Sequence, residues 1–199
     1  MSDHDRPVPA ISPVALRLAD QRIADAMDPS IGCTALLIED LPIIARWLKA
    51  PHVALWWGDP EEALTRIASH LASPSVAPFL AREGHRPIGY LQVYHANPDP
   101  FWTRHPLPRE TFGLDLFLGE TDVIGRGLGT RLIQLVLRRL LSLPETARVQ
   151  VDPAPGNAPA IRAYEKAGFR RVAPIDTPDG AALYMAIDRT TTRQQEIDA

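Results

Sequence analysis

Cysteine is almost missing from this chain: Cys33 stands alone among 199 residues. A single thiol excludes an intramolecular disulfide framework and fits a reducing compartment. Cys33 itself reads as a buried thiol rather than a nucleophile. A cationic excess is missing too. The chain has 21 Lys and Arg against 24 Asp and Glu, a formal charge of −3, which leaves no electrostatic footprint for nucleic acid. No apolar run is long enough to cross a bilayer. The N-terminus carries Asp3, His4, Asp5 and Pro7 where a secretory leader needs a basic start and an apolar stretch. Cytoplasm is therefore the expected location, with no nucleic acid, membrane or metal as partner. Repeats are absent, and no shift in composition marks a second domain. The expected organisation is a flexible tail over 1–12, one domain over 13–190 and a polar tail over 191–199. A hydrophobic content of 45% is ordinary for a globular protein.

What the chain does have is concentrated between Gly113 and Phe169. The stretch opens with GLDLF (113–117), continues with IGRGLGT (124–130) and an apolar run to Leu141, then RVQVDPAPGN (148–157) and AIRAYEKAGF (160–169). It reads as strand, glycine turn, helix, strand, helix. Gly125, Gly127 and Gly129 alternate directly before the helix. Glycine permits positive φ and leaves no Cβ between backbone and ligand. The first helical turn adds unpaired N–H groups and the positive end of the macrodipole, which together make an anion site suited to phosphate. Neither a Walker loop nor the GxGxxG dinucleotide fingerprint fits, because no GK[ST] follows and the glycine spacing differs. A plain glycine-rich turn is the other reading of these three residues alone. Leu128, Leu132, Leu135, Val136 and Leu140 form the apolar stripe of the helix. Arg131, Gln134 and Arg138 mark its wet side, and Pro144 ends it.

Elsewhere the pattern predicts strands over Val14–Leu18 and Thr34–Ile38, with 20–32 open between a helical piece and an excursion. A helix follows with Asp40 as N-cap, Pro42 in its first turn and Ile43, Ile44 and Trp47 on its buried face. HVALWWGD (52–59) sets two adjacent tryptophans at a helix-to-loop junction, either a core residue with its lid or an aromatic wall for a ligand. A second helix is expected over Pro60–Leu71. Strands are expected over Ala77–Arg82 and Ile88–His95, the latter with Tyr90, Gln92 and Tyr94 on one face. The loop Asn97–Glu110 carries four prolines, Phe101 and Trp102, and its length favours a substrate-side flap over a passively packed connection. Strand Phe112–Leu118 contains one charge, Asp115, which is costly to bury unless paired or solvated, so its face is expected to open into a cleft. Asn157 is expected to cap the helix Ala158–Ala167, with Gly168 as its C-terminal glycine. A turn over Thr177–Gly180 leads to the strand Ala181–Ile187.

GxG at a strand–helix junction, then DPxPxN, then AxxxYxKxGF resembles the acetyl-coenzyme A site of the GNAT N-acetyltransferases. The resemblance implies a GNAT fold: an α/β (α+β mixed) chain whose central, mixed and mostly antiparallel twisted sheet is flanked by helices. More closely, WWG, PIGYxQ, the tryptophan-bearing loop, GLD, GRGLGTRL, DPxPxNxxAIRxYEKAGF and TPDGxAxYM occur in one order. Over roughly Trp47 to Met185 this string is similar to the aminoglycoside 6′-N-acetyltransferases, in the branch that also holds siderophore-type lysine acetylases. The resemblance implies acetyl transfer from acetyl-CoA to the 6′-amine of an aminoglycoside, by a monomer or homodimer. It implies Asp115 and Tyr164 as the catalytic pair. It places Ile124, Gly125, Arg126, Gly127, Leu128, Gly129, Thr130 and Asn157 at the cofactor, and Trp57, Asp99, Trp102, Asp115, Asp152 and Asp179 at the substrate. Separated carboxylates and a flat aromatic wall suit a polycation rich in hydroxyls. Two departures stand out. Ile124 occupies the place of the usual Gln or Arg before GxG, and Ala72, Ser73 and Pro74 stand where that family has another acidic residue. Acetylation of a siderophore precursor or small polyamine, and non-catalytic acyl-CoA binding, are the alternatives.

Overall fold

The computed structural model describes residues 23–24 and 30–189. The two tails, the strand expected at Val14–Leu18 and residues 20–22 and 25–29 lie outside the described residues. The strands are β1 (Ile23–Ala24), β2 (Ile31–Ala35), β3 (Val76–Glu83), β4 (Arg86–His95), β5 (Thr111–Leu118), β6 (Arg148–Val151), β7 (Arg170–Thr177) and β8 (Gly180–Asp188). The helices are α1 (Leu41–Leu48), α2 (Pro51–Trp57), α3 (Pro60–His70), α4 (Leu128–Ser142) and α5 (Ala158–Ala167). One sheet runs β1-β2-β3-β4-β5-β6-β8-β7. Among the described residues only β5 and β6 are parallel neighbours; every other pair is antiparallel. The mixed, mostly antiparallel sheet flanked by helices is thus present.

The period-2 alternation of the strands sends side chains to two cores. Leu91, Val93, Phe112, Leu114, Val149 and Met185 meet the α4 stripe Leu128, Leu132, Val136 and Leu140. Leu80, Tyr90 and Phe117 meet Ile44, Trp47, Leu48 and Ile67 of α1 and α3. Each such side chain contributes about 1.5–3 kcal/mol by leaving water. Asp59 caps α3, its Oδ1 accepting the Glu61 and Glu62 N–H groups at 3.0 Å. Asn157 Oδ1 caps α5 by accepting the Ala160 N–H at 3.2 Å, and Gly168 ends that helix at φ 110°.

Two local expectations shift. The strand read at Thr34–Ile38 lies at Ile31–Ala35, and Ile38–Asp40 form a 3₁₀ turn. Asp40 does not cap α1 through its side chain. That turn holds it at helical angles (φ −85°, ψ −13°), and its Oδ2 accepts the Leu37 N–H at 3.0 Å instead. The double-tryptophan segment is a short helix of its own, started by Pro51 and stopped by Gly58 at φ 74°.

The feature that positions the site is the brevity of the parallel pair. β5 and β6 match only at Thr111–Arg148, Phe112–Val149 and Gly113–Gln150. β5 then stays with β4 as far as Leu118–Gly89, while β6 stays with β8 as far as Val151–Met185. From Leu114 onward one edge of β5 has no strand beside it among the described residues.

Candidate active site

A cavity of about 820 Å³ opens over this parting of the strands, large enough for a drug-sized ligand. β5 contributes Asp115 and Leu116 to its wall. Asp152 comes from the end of β6, Asn157 and Tyr164 from α5, Asp179 from the β7–β8 turn, Asp99 and Trp102 from the β4–β5 loop, and Trp57 from α2. The structure therefore brings both expected catalytic residues, all the expected substrate residues and Asn157 to one cavity. Ile124–Thr130 are not among its lining residues. They sit at the far end of β5, where a Cβ on Gly129 would be 3.8 Å from the Leu116 and Leu118 side chains.

That turn has the form of an anion cradle. Gly125 and Gly127 hold φ of 79° and 78°, a left-handed region that L side chains rarely adopt. Among the described residues, a Cβ on either would meet nothing within 4 Å, so the backbone is open to a ligand on that side. Gly127 is the N-cap of α4, and among the described residues no side chain caps the helix, which leaves its first N–H groups for a ligand. Arg126 is held from behind, its two Nη atoms donating to Glu83 at 3.1 and 2.6 Å. Ile124 is exposed. These residues fit the pyrophosphate of coenzyme A.

The cavity itself is acidic. Asp59, Glu62, Asp99, Asp115, Asp152 and Asp179 line it, against Arg66 as the lining arginine. Burial raises the Asp115 carboxyl above the ordinary carboxylate range; the Gln92 hydrogen bond and Arg66 oppose the rise, and Asp179 adds to it. Burial also pushes Asp152 up to about 7, reinforced by the charges of Asp115, Asp179 and Asp99. Such mutual repulsion is relieved by a bound cation. Tyr164 is buried, and desolvation, then Asp115 and Asp152, hold its phenol protonated far above neutral pH. Its ring meets Phe169 edge-on at 5.6 Å.

The aromatic wall is anchored from outside the cavity. Trp57 packs edge-on against Phe117 and Tyr90, with centroids at 4.9 and 5.7 Å. Trp56 stays exposed, and a Cβ on Gly156 would be 3.7 Å from its ring. The proline loop docks through Trp102, which is buried beside Tyr184 at 5.6 Å. Asp99 shapes that loop, its Oδ1 accepting the Phe101 and Trp102 N–H groups at 2.8 and 3.3 Å. Cys33 is buried, with its thiol pushed up to about 12 by desolvation, which removes it as a nucleophile.

Sequence reasoning gave no place in the site to Gln92, Tyr94, Arg66 or His70. Gln92 Nε2 donates to Asp115 Oδ2 at 2.7 Å. The Tyr94 ring lies across Gly113, where any Cβ would overlap it. The signals were present. Gln92 and Tyr94 share a strand face with Tyr90, and Glu62, Arg66 and His70 recur at i, i+4 and i+8 of α3, a stripe that turns to the cavity.

The family model for the acetyltransferase (GNAT) domain matches residues 37–177. Aminoglycoside N(6′)-acetyltransferase type 1 of Klebsiella pneumoniae is 36% identical over 184 residues, 87% of this chain and 90% of that protein. Lysine N-acyltransferase MbtK of Mycolicibacterium paratuberculosis is 25% identical over 171 residues, 83% of this chain and 77% of that one. Among solved structures, aminoglycoside acetyltransferase AAC(6′)-Ib with coenzyme A and kanamycin superposes with a TM-score of 0.75. It is 35% identical and covers 84% of this chain and 99% of its own. A GNAT match across most of the described residues, and a relative 36% identical over nearly the whole length, show that the chain belongs to the GNAT acetyltransferases.

Proposed function

We propose that this protein is an acetyl-CoA-dependent aminoglycoside 6′-N-acetyltransferase, acting in the cytoplasm through one domain over 13–190. The carrying observation is the group of mutually repelling carboxylates, the half-buried Asp115 and Asp152 foremost, on a cavity beside a helix N-terminus that no described side chain caps. A lysine side chain offers one cation. Four aspartates from four different segments, Asp99, Asp115, Asp152 and Asp179, answer several cations at once, which favours a polycation.

When bound, acetyl-CoA supplies the thioester carbon that the amine attacks and the thiolate that leaves. Gly125, Gly127 and the first N–H groups of α4 hold its pyrophosphate. The free edge of β5 near Leu116–Leu118 presents backbone N–H groups to the thioester oxygen, and such donors stabilise the charge that develops there. Asp115 receives the incoming amine and orients it. Its burial makes it a better base than a solvated carboxylate. Tyr164 keeps its hydroxyl proton and presents it to the departing sulfur. Asp152, Asp179 and Asp99 hold the distal amines, and Trp57 and Trp102 supply the flat walls. Proximity of amine and thioester accounts for much of the acceleration.

Thiol release from acetyl-CoA, measured with kanamycin, with lysine derivatives and with neither, tests this reading. Release stimulated by kanamycin supports it. Release stimulated only by lysine derivatives would move the protein to the lysine acylases.

A further inference from the structure

Asp115 does not stand alone in the cavity wall. Gln92, nearly buried on the neighbouring strand β4, donates from Nε2 to Asp115 Oδ2 at 2.7 Å. The carbonyl end of the same amide is gripped twice. Tyr90 Oη donates to Gln92 Oε1 at 2.7 Å, and His70 Nδ1 lies 2.9 Å from it. The charged Asp115 carboxylate settles which way the amide points, because the reversed amide would press its oxygen against it. That orientation puts the His70 proton on Nδ1. Desolvation, the leading effect, and the charge of Arg66 hold that ring neutral more firmly than usual, against the Gln92 bond.

Resting on the acetyl-transfer reading of this site, we propose that Gln92 is the positioning residue of Asp115: gripped by Tyr90 and His70, it commits Oδ2 and leaves Oδ1 to receive the amine. The Gln92 bond is the only side-chain hydrogen bond to that carboxylate among the described residues. It favours the charged form of a group that burial drives toward neutrality. A neutral acid at this place could not accept an ammonium, so Gln92 sets the lower pH bound of the reaction.

The groups that share the field of Asp115 are Arg66 and His70 on α3, Tyr90 and Tyr94 on β4, and Tyr164 on α5. Asp152 and Asp179 complete the set from beyond β6 and from the β7–β8 turn. Gln92→Met removes the donor, keeps the approximate volume and leaves each of these groups in place. Tyr90→Phe removes one grip on Oε1 and keeps the ring that stacks on Phe117 at 5.5 Å.

The test pairs two readouts on the full chain: a ¹³C titration of the Asp115 carboxyl, assigned by its loss in Asp115→Asn, and the pH profile of kcat/KM with kanamycin. In Gln92→Met the Asp115 titration and the acid limb both move to higher pH. At pH values below the limb, kcat/KM falls about tenfold or more, the usual worth of a hydrogen bond to a charged group. Tyr90→Phe moves both in the same direction by less, and it carries the test if Gln92→Met does not fold. An unmoved Asp115 titration in a folded variant, with or without a uniform loss of rate at all pH values, overturns the proposal. A wild type that acetylates no aminoglycoside sinks the functional reading, while the carboxyl titration still decides the role of Gln92.

Discussion

Asp152 offers the sharpest quantitative prediction. Burial, with the charges of Asp115, Asp179 and Asp99, pushes its carboxyl up to about 7. Its ionised fraction then rises from about one-eleventh at pH 6 to about ten-elevenths at pH 8. A distal amine needs the ionised form, so the Asp152 contribution to kanamycin affinity grows about tenfold over that range. The ligand amines titrate as well, so the informative quantity is the ratio of wild-type affinity to that of Asp152→Asn at each pH. Calorimetric titration at pH 6, 7 and 8 measures it. Buffers of different ionisation enthalpy will also show proton release on binding near pH 6 in the wild type and less in the variant. Stability must move the opposite way. The folded-state pKa is raised, so between about pH 4 and 7 the native protein holds a proton that the unfolded chain has lost. Stability therefore falls as pH rises through that window. A shift from 3.8 to about 7 corresponds to an upper bound of about 4 kcal/mol. Asp152→Asn should melt above wild type at pH 8 and level with it at pH 4. An affinity ratio that ignores pH, together with melting curves that run parallel, would refute the idea of a buried, frustrated carboxylate.

Further expectations follow from the same geometry. Tyr164→Phe keeps the contact with Phe169 and removes the hydroxyl, so kcat should fall about 10²- to 10⁴-fold with acetyl-CoA affinity intact; a kcat within about twofold of wild type would reduce Tyr164 to a packing residue. Gly127→Val forces a β-branched side chain into φ 78° at the helix N-terminus, and should raise the acetyl-CoA KM sharply in steady-state kinetics. An unchanged KM in a folded protein would remove the turn from the cofactor site. Asp115→Asn should depress kcat, because it takes away the group that orients the reacting amine. Asp179→Asn should mainly raise the kanamycin KM, since its binding is equal in ground and transition states. Interchanged effects would contradict the separation of roles.

Much of this was legible from residue patterns. The alternation in β4, β5 and β8, the stripe of α4 and the caps at Asn157 and Gly168 are local signals, and local physics decides them. Asp115 was legible because a charge in an apolar strand demands an outlet. The shift of β2 to Ile31–Ala35 was not, because its register is set by pairing with β3 at Cys33–Ala81 and Thr34–Leu80, residues far away in sequence. Asp40 misled for a similar reason: a preceding 3₁₀ turn had already taken its carboxylate. The site shows the same division. Single residues with chemical promise could be named, but the parting of β5 from β6 that gathers them is a property of the sheet. The His70–Gln92–Asp115 chain joins a helix and two strands, and no spacing in the sequence announces it.

In the proposed function, a carboxylate-lined cavity delivers one particular amine of a polycation to the thioester. The position of the transferred acetyl group tests this most directly. Kanamycin incubated with the protein and acetyl-CoA, followed by mass spectrometry and NMR of the product, should give a single acetyl group on the 6′-amine. Acetyl groups scattered over several amines, or no acetylated kanamycin while lysine derivatives are acetylated readily, would contradict it.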